Sequence, residues 1–209
     1  MTSPSPSWPS LMNSCSGRPA VVIGKGPSLD AWLAAGCPQP VGALRIGVNQ
    51  VAAVVPEVPF SVSCDCQMDH ADYLPLPTQW VRGLPYLTAQ MFWVREPPDF
   101  WAPHGVLPFK SCSETLGLSR EDLAECPQLF KGPCSTNAAV QFAWYLGCTS
   151  LLLVGIDGGS TRAGVMADTV DRPPPPSYDE MLASVRAECD VIYGRCWSHW
   201  AAPLPHENL

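Results

Sequence analysis

The sequence has little positive charge. Its 209 residues include 12 Lys and Arg against 19 Asp and Glu, which gives a formal net charge of −7 and a pI near 4.9. Proteins that bind nucleic acid along an extended surface depend on summed positive charge. The composition therefore argues against an extended nucleic-acid surface, although a local basic groove remains compatible with it.

Long apolar runs are also missing. No run reaches the roughly 18 to 20 residues that a helix needs to cross a bilayer, so we predict no membrane span. Residues Met1–Pro6 lack the basic region and the apolar segment of a signal peptide. The 10 cysteines fit this view, because several lie inside apolar runs of a chain longer than small disulfide-rich domains. We expect reduced thiols, mainly in the core, and a cytoplasmic protein.

Histidine is scarce, with 4 residues in the chain, and the pattern of metal ligands is incomplete. Cys64, Cys66 and His70 lie close in sequence, but no second CxxC or HxxxH pair completes the four ligands of a zinc site. We therefore predict no zinc site. Asp65 and Asp69 offer another chemistry, since two carboxylates beside a phosphate-binding turn are suited to hold Mg²⁺. A solvated turn after a strand is the alternative.

Composition divides the chain into regions. Residues 1–18 are rich in Ser and Pro, and we predict a loose arm there. The fold is predicted over residues 19–209, because a chain with 46% hydrophobic residues suits one domain with a sizeable core. Within it, repeated prolines over 75–127 predict an irregular insertion with short strands near Trp80–Arg82 and Gln90–Val94.

Elsewhere, apolar strands alternate with helices. We predict strands at Ala20–Ile23, Ala43–Asn49, Phe60–Cys64 and Ser150–Ile156, and helices that begin near Ser28, Ser135 and Tyr178. The strand at 150–156 is apolar on both faces, which is typical of the middle of a parallel sheet. The pattern predicts an α/β protein, a single Rossmann-like domain with a mainly parallel sheet flanked by helices.

The most informative run is AVVIGKGPSLD at 20–30, which predicts a buried strand that turns through glycines into a helix. Gly24 and Gly26 allow a tight turn and a close approach of phosphate to the main chain, Pro27 suits a first helical turn, and Ser28 can cap it. Nucleotides bind at such turns in α/β folds. The run is neither GxGxxG nor a Walker A loop, and a plain strand-turn-helix corner has the same residues.

Polar residues follow the other predicted strands too. They are Asn49 and Gln50, Asp65 to Asp69, and Asp157, and a further helix begins at Ser135 and Thr136. Because the carboxyl ends of parallel strands meet at one edge of a sheet, beside helix amino termini, we expect a ligand crevice there.

The order of these motifs resembles a known group. The motifs are Val-Ile-Gly-x-Gly-Pro-Ser-Leu, Arg-x-x-x-Asn-Gln, Ser-Thr before an Ala-rich helix that ends in Tyr-Leu-Gly, and Leu-Leu-Val-Gly-Ile-Asp. They resemble the bacterial sialyltransferases that use CMP-sialic acid, and the related motility-accessory-factor and hydroxymethylpterin diphosphokinase-like domains. The resemblance covers patches of 19–65 and 131–160.

The resemblance implies a nucleotide-sugar-dependent glycosyltransferase with a nucleotide-sugar donor and an unknown acceptor. The implied donor-binding residues are Gly24, Lys25, Gly26, Pro27, Ser28, Asn49, Gln50, Ser135, Thr136, Gly155 and Asp157. Lys25 stands where the sialyltransferases have Asn, so a point charge replaces an amide. Two alternatives remain: diphosphate transfer from ATP, with Mg²⁺ near Asp65 and Asp69, and nucleotide binding without catalysis.

The catalytic base is the weakest part of the resemblance. The sialyltransferases have a histidine base after the Gly-Ile-Asp strand, whereas residues 158–198 contain no histidine. We rank His199 first as the base, with Asp65 and Asp69 behind it, and a packed or solvent-facing tail histidine is the alternative. The sequence does not predict the oligomeric state.

Overall fold

The structure is a computed structural model that describes residues 7–64, 79–84, 107–112, 119–130, 134–158, 162–169 and 179–200. Strands β1 to β8 are Pro19–Ile23, Leu44–Val48, Phe60–Ser63, Gln79–Leu84, Leu107–Cys112, Gln128–Phe130, Ser150–Val154 and Trp197–His199. Helices α1 to α5 are Trp8–Leu11, Ser28–Ala34, Arg120–Glu125, Ser135–Tyr145 and Asp179–Tyr193. Short 3₁₀ helices span Asn49–Ala53 and Gly164–Thr169.

The strands form one 8-stranded sheet in the order β6-β5-β4-β3-β2-β1-β7-β8. All seven neighbouring pairs are parallel. The chain runs outward from β1 to β6 and then returns to place β7 on the other side of β1. The order therefore reverses between β1 and β7, which is where ligands bind in open α/β sheets. This is the predicted Rossmann-like α/β fold, with the predicted strand at β7 inside the sheet.

Strand β1 is apolar throughout because both of its faces are covered. Ala20, Val21, Val22 and Ile23 are all fully buried. Ala20 and Val22 belong to the core beneath α4 and α5, whereas Val21 and Ile23 belong to the core beneath α2. Full burial of a Val or Ile side chain contributes about 1.5–3 kcal/mol, so this central strand anchors both layers.

Helix α4 is buried on most of its surface. Ala138, Ala139 and Ala143 are fully buried, and the helix contacts β1, β2, β3 and β6. Helix α5 packs on α4, and its buried Glu188 accepts a 2.8 Å hydrogen bond from Gln141 Nε2 of α4. The two helices therefore form the layer that covers one face of the sheet.

The prediction of a loose arm over residues 1–18 is wrong for residues 7–18. A capping box between Ser7 and Ser10 begins α1, and Trp8 and Leu11 are buried. The Trp8 ring lies 5.7 Å from Phe142 and 5.1 Å from Tyr145, between ring centroids. Burial of this tryptophan outweighs the Ser- and Pro-rich composition around it. Residues 1–6 lie outside the described residues.

The prediction of an irregular insertion over 75–127 is also wrong where the structure describes that region. The predicted strand near Trp80–Arg82 is present within β4, and β5 and α3 follow it. Leu107 and Phe109 of β5 are buried, so this region extends the same sheet and shares its core. The strand predicted near Gln90–Val94 lies outside the described residues.

The structure describes the side chains of eight cysteines, and all eight are reduced thiols. Four of them, Cys15, Cys64, Cys148 and Cys189, are buried. Burial raises the pKa of Cys148 and of Cys189 to about 12, which keeps both thiols protonated and unreactive. No helix among the described residues is both long enough and apolar enough to cross a membrane.

Candidate functional site

A crevice of about 630 Å³, part of it open to solvent, lies where β1, β2 and β7 end. The predicted binding residues that line it are Gly24, Lys25, Gly26, Asn49, Ser135, Thr136, Gly155 and Asp157. The other lining residues are Val48, Cys134, Ile156, Gly158, Arg162, Met181, Leu182 and Val185. Motifs far apart in the sequence thus meet at one site, at the reversal of strand order.

The glycines at the floor of this crevice are required by the protein itself. The Gly26 N–H donates to the Gly155 carbonyl at 2.7 Å, so the turn after β1 lies directly against the turn after β7. A Cβ at Gly26 would lie 2.9 Å from the Gly155 carbonyl oxygen and closer still to the Asp157 carboxylate. Gly155 has φ +65°, and its Cβ would lie 2.5 Å from the Gly24 carbonyl oxygen. Glycine is therefore needed for the approach of two backbones, before any ligand is considered.

Helix α2 begins beneath this turn with a cap from a distant strand. The Ser28 N–H donates to Asp157 Oδ2 at 2.8 Å, and the Ser28 hydroxyl accepts from the Gly155 N–H at 3.0 Å. Pro27 is the N-cap residue and makes no side-chain cap. The prediction that Ser28 caps the helix is therefore wrong, because Asp157 does so. Neither Pro27 nor Ser28 is among the residues that line the crevice.

The environment of Asp157 lowers the pKa of its carboxyl group. Burial raises this pKa, but the His199 ring and the hydroxyl and N–H groups of Ser28 together lower it by more. Asp157 is consequently a carboxylate at neutral pH, at the positive end of the α2 dipole. The sequence predicted a ligand phosphate at this end of α2. In the structure the Asp157 carboxylate lies there instead.

His199, the predicted base, ends the edge strand β8 beside β7. Its Nε2 atom lies 3.6 Å from Asp157 Oδ1 and has no hydrogen-bond partner among the described residues. His199 is not among the residues that line the crevice. His199 therefore lies next to the crevice, in contact with Asp157.

Asn49 and Gln50 follow β2 but have different positions. Asn49 has φ +56° and lines the crevice, where its Oδ1 atom is buried without a hydrogen-bond partner among the described residues. A buried amide oxygen without a partner costs about 1–3 kcal/mol, so this atom is suited to accept a hydrogen bond from a ligand. Gln50 is buried outside the lining, and its Oε1 atom accepts from Lys25 Nζ at 2.8 Å. Gln50 therefore orients a lysine at the crevice.

Helix α4 points its amino terminus at the crevice through Ser135 and Thr136. Cys134 is its N-cap residue and provides no side-chain cap. The Ser135 hydroxyl accepts a 3.0 Å hydrogen bond from the Cys64 N–H, which joins the helix to the end of β3. The first turn of a helix has N–H groups without intrahelical partners, and its dipole favours negative charge.

Sequence reasoning missed the opposite wall of the crevice. Met181, Leu182 and Val185, which recur at helical spacing in the last helix, line the crevice. The signal was available, because this apolar stripe extends into the first turn of α5, at the strand ends. Arg162 had no such signal, since it is a single polar residue that belongs to none of the motifs in the sequence.

Asp65 and Asp69 lie outside the described residues, so the Mg²⁺ prediction stays a prediction. Within the described residues, no group of three or more His, Cys, Asp and Glu is arranged to hold a metal ion.

The crevice combines groups of different chemistry. Lys25 and Arg162 are cationic, Asp157 is anionic, Asn49 offers an acceptor, and α5 adds an apolar wall. This combination suits a ligand with an anionic group, hydrogen-bond donors and one apolar or planar part. Comparison of the chain with protein-family models, with curated proteins and with solved structures gave no match.

Proposed function

We propose that the chain is a nucleotide-sugar-dependent glycosyltransferase and that its crevice binds the nucleotide part of the donor. The proposal rests on one observation, that four separate motifs implied by the sialyltransferase resemblance line a single crevice at the reversal of strand order. Residues of all four motifs are therefore within reach of one ligand at this site. The proposal keeps the cytoplasmic location expected from the thiol content.

Each part of a nucleotide sugar has a partner of suitable chemistry. Lys25, Arg162 and the amino terminus of α4 suit the phosphate. Asn49 Oδ1 and the Asp157 carboxylate suit hydroxyl or amino donors of the nucleoside. The apolar wall on α5 suits a base or a sugar face. In this arrangement the phosphate lies at α4, because Asp157 already occupies the amino terminus of α2.

The role of His199 in this proposal differs from the base that the sequence predicts. Asp157 has a lowered pKa, which makes it a weak base, and His199 contacts Asp157 from outside the crevice lining. We assign Asp157 to ligand binding and His199 to holding Asp157. Asp65 and Asp69, the other predicted bases, lie outside the described residues.

The position of His199 favours a second candidate, nucleotide binding without catalysis, because this described candidate base does not line the crevice. Diphosphate transfer depends on Asp65 and Asp69 and gains no support from the described residues.

A thermal-shift panel tests these functions. CMP, UDP, GDP, ATP and their sugar nucleotides are added with and without Mg²⁺, and donor hydrolysis and transfer are then followed for any that bind. Selective stabilisation by one sugar nucleotide, with turnover, supports the transferase. Stabilisation without turnover supports the binding protein, and a preference for ATP with Mg²⁺ supports diphosphate transfer. A protein that no nucleotide stabilises contradicts all three.

A further inference from the structure

Residues 162–169, which we term the strap, run beside the glycine turn and carry Arg162 to the crevice. The Ala163 N–H donates to the Lys25 carbonyl at 2.8 Å. Ala163 and Met166 are buried in the core cluster that contains Leu29 of α2. The strap is therefore packed against α2 on the side of the sheet opposite α4.

One side chain of α2 holds the strap in register. Asp30 accepts a hydrogen bond from the Gly164 N–H at 2.5 Å on Oδ2 and one from the Val165 N–H at 3.1 Å on Oδ1. A Cβ at Gly164 would lie 3.3 Å from Asp30 Oδ2, so glycine leaves room for this approach. Both carboxylate oxygens are thus engaged by the backbone of the strap.

Asp30 is not among the residues that line the crevice, whereas Arg162 is. Arg162 directly precedes Ala163, and three backbone hydrogen bonds fix the three residues that follow it. Because two of these three bonds end on Asp30, the backbone position from which Arg162 reaches the crevice depends on that carboxylate.

We propose that Asp30 is a positioning residue of the crevice, which holds the strap so that Arg162 faces the anionic part of the ligand. This inference deepens the proposed function and rests on it. Asp30 acts through the strap and contacts no ligand. Arg162 contributes a planar, permanently charged group suited to phosphate.

A double-mutant cycle tests the coupling. The dissociation constant of the nucleotide that gives the largest thermal shift, and that of inorganic pyrophosphate, are measured for wild type, Asp30→Ala, Arg162→Met and the double variant. Each single change should weaken binding about tenfold, and the double variant should bind no more weakly than Arg162→Met alone. Additive losses, or wild-type affinity in Asp30→Ala, would overturn the proposal.

The matched control is Asp122→Ala. Like Asp30, Asp122 accepts a backbone N–H group, that of Ser119 at the start of α3, but it is not among the crevice-lining residues. Its loss should leave ligand affinity unchanged. Should Asp30→Ala fail to fold, Asp30→Asn keeps one acceptor oxygen, and a weakening of binding that disappears in the Arg162→Met background supports the same conclusion.

Trypsin provides a readout without ligand. Cleavage after Arg162 should be slow in the wild type, because the Ala163 N–H is hydrogen-bonded and Ala163 is buried, and at least several-fold faster in Asp30→Ala. Asp122→Ala should be cleaved there at the wild-type rate. Equal cleavage in wild type and Asp30→Ala overturns the positioning role. A wild type that binds no probe refutes the proposed function instead, while the trypsin result still decides whether Asp30 holds the strap.

Discussion

Asp157 caps helix α2 by accepting the Ser28 N–H at 2.8 Å, although the two residues lie 129 positions apart in the chain. The protein thereby places its own carboxylate at a helix terminus that serves as an anion site in many α/β proteins. A ligand phosphate would have to displace Asp157 to bind there. The cationic groups and the amino terminus of α4 lie elsewhere in the crevice, at Lys25, Arg162 and Ser135.

Replacement of Asp157 by Asn should weaken nucleotide binding at least tenfold, equivalent to about 1.4 kcal/mol, because the variant keeps the shape but loses the charge at the crevice. Loss of the charged cap should also lower the free energy of unfolding by about 1 kcal/mol. Isothermal titration and urea unfolding measure the two effects. Asp190→Asn is the control, since Asp190 accepts a hydrogen bond from Trp197 and does not line the crevice. Wild-type behaviour of Asp157→Asn in both assays would remove Asp157 from the site.

Acidification should remove the stabilisation by Asp157. Its pKa in the folded protein is lower than in the unfolded chain, where Asp titrates near about 3.9. The contribution is therefore fully present above that value and is lost as the pH falls through the folded-state pKa. The melting temperatures of wild type and Asp157→Asn should differ at pH 6 and converge at lower pH. A difference that stays constant to strongly acidic pH would contradict this linkage.

A substitution at Gly26 should destabilise the fold as well as the site. The Cβ of Gly26→Ala meets the Asp157 carboxylate and the Gly155 carbonyl, and we expect a loss of about 1–3 kcal/mol in the free energy of unfolding. Gly42→Ala is the control, because Gly42 has no neighbour within 4 Å and only its φ of +71° opposes a side chain. Urea unfolding compares them. A Gly26→Ala protein no less stable than Gly42→Ala would show that the two turns separate easily.

The buried carboxyl of Glu188 should destabilise the folded protein at neutral pH. Burial raises the pKa of Glu188, and the hydrogen bond from Gln141 lowers it only in part. A raised folded-state pKa of an acid means that stability is greatest below the unfolded-state pKa and declines as the pH rises through the folded-state pKa. Glu188→Gln keeps the acceptor for Gln141 and removes the charge. The variant should be more stable than wild type at pH 8 and equal to it near pH 4, as measured by urea unfolding; the opposite trend would contradict the assignment.

Much of the fold was predictable because its signals are local. The apolar strands and the helix starts at Ser28 and Ser135 agree with the observed elements to within two residues. The packing of Trp8 and the strand at 107–112 were not predictable from the sequence. Composition rich in Ser and Pro indicates irregular structure. Here the apolar residues of both segments are buried against a core formed by residues far away in the chain.

The site divides in the same way. The sequence by itself determined that polar residues follow the strands and that glycines lie between the first strand and its helix, since backbone turns depend on neighbouring residues. Only the tertiary structure decided the strand order, and with it that Asp157 reaches Ser28, that His199 contacts Asp157 and that Arg162 enters the crevice. These contacts join residues far apart in the chain, so they form only when particular strands are neighbours. The order of the strands depends on the packing of the whole sheet.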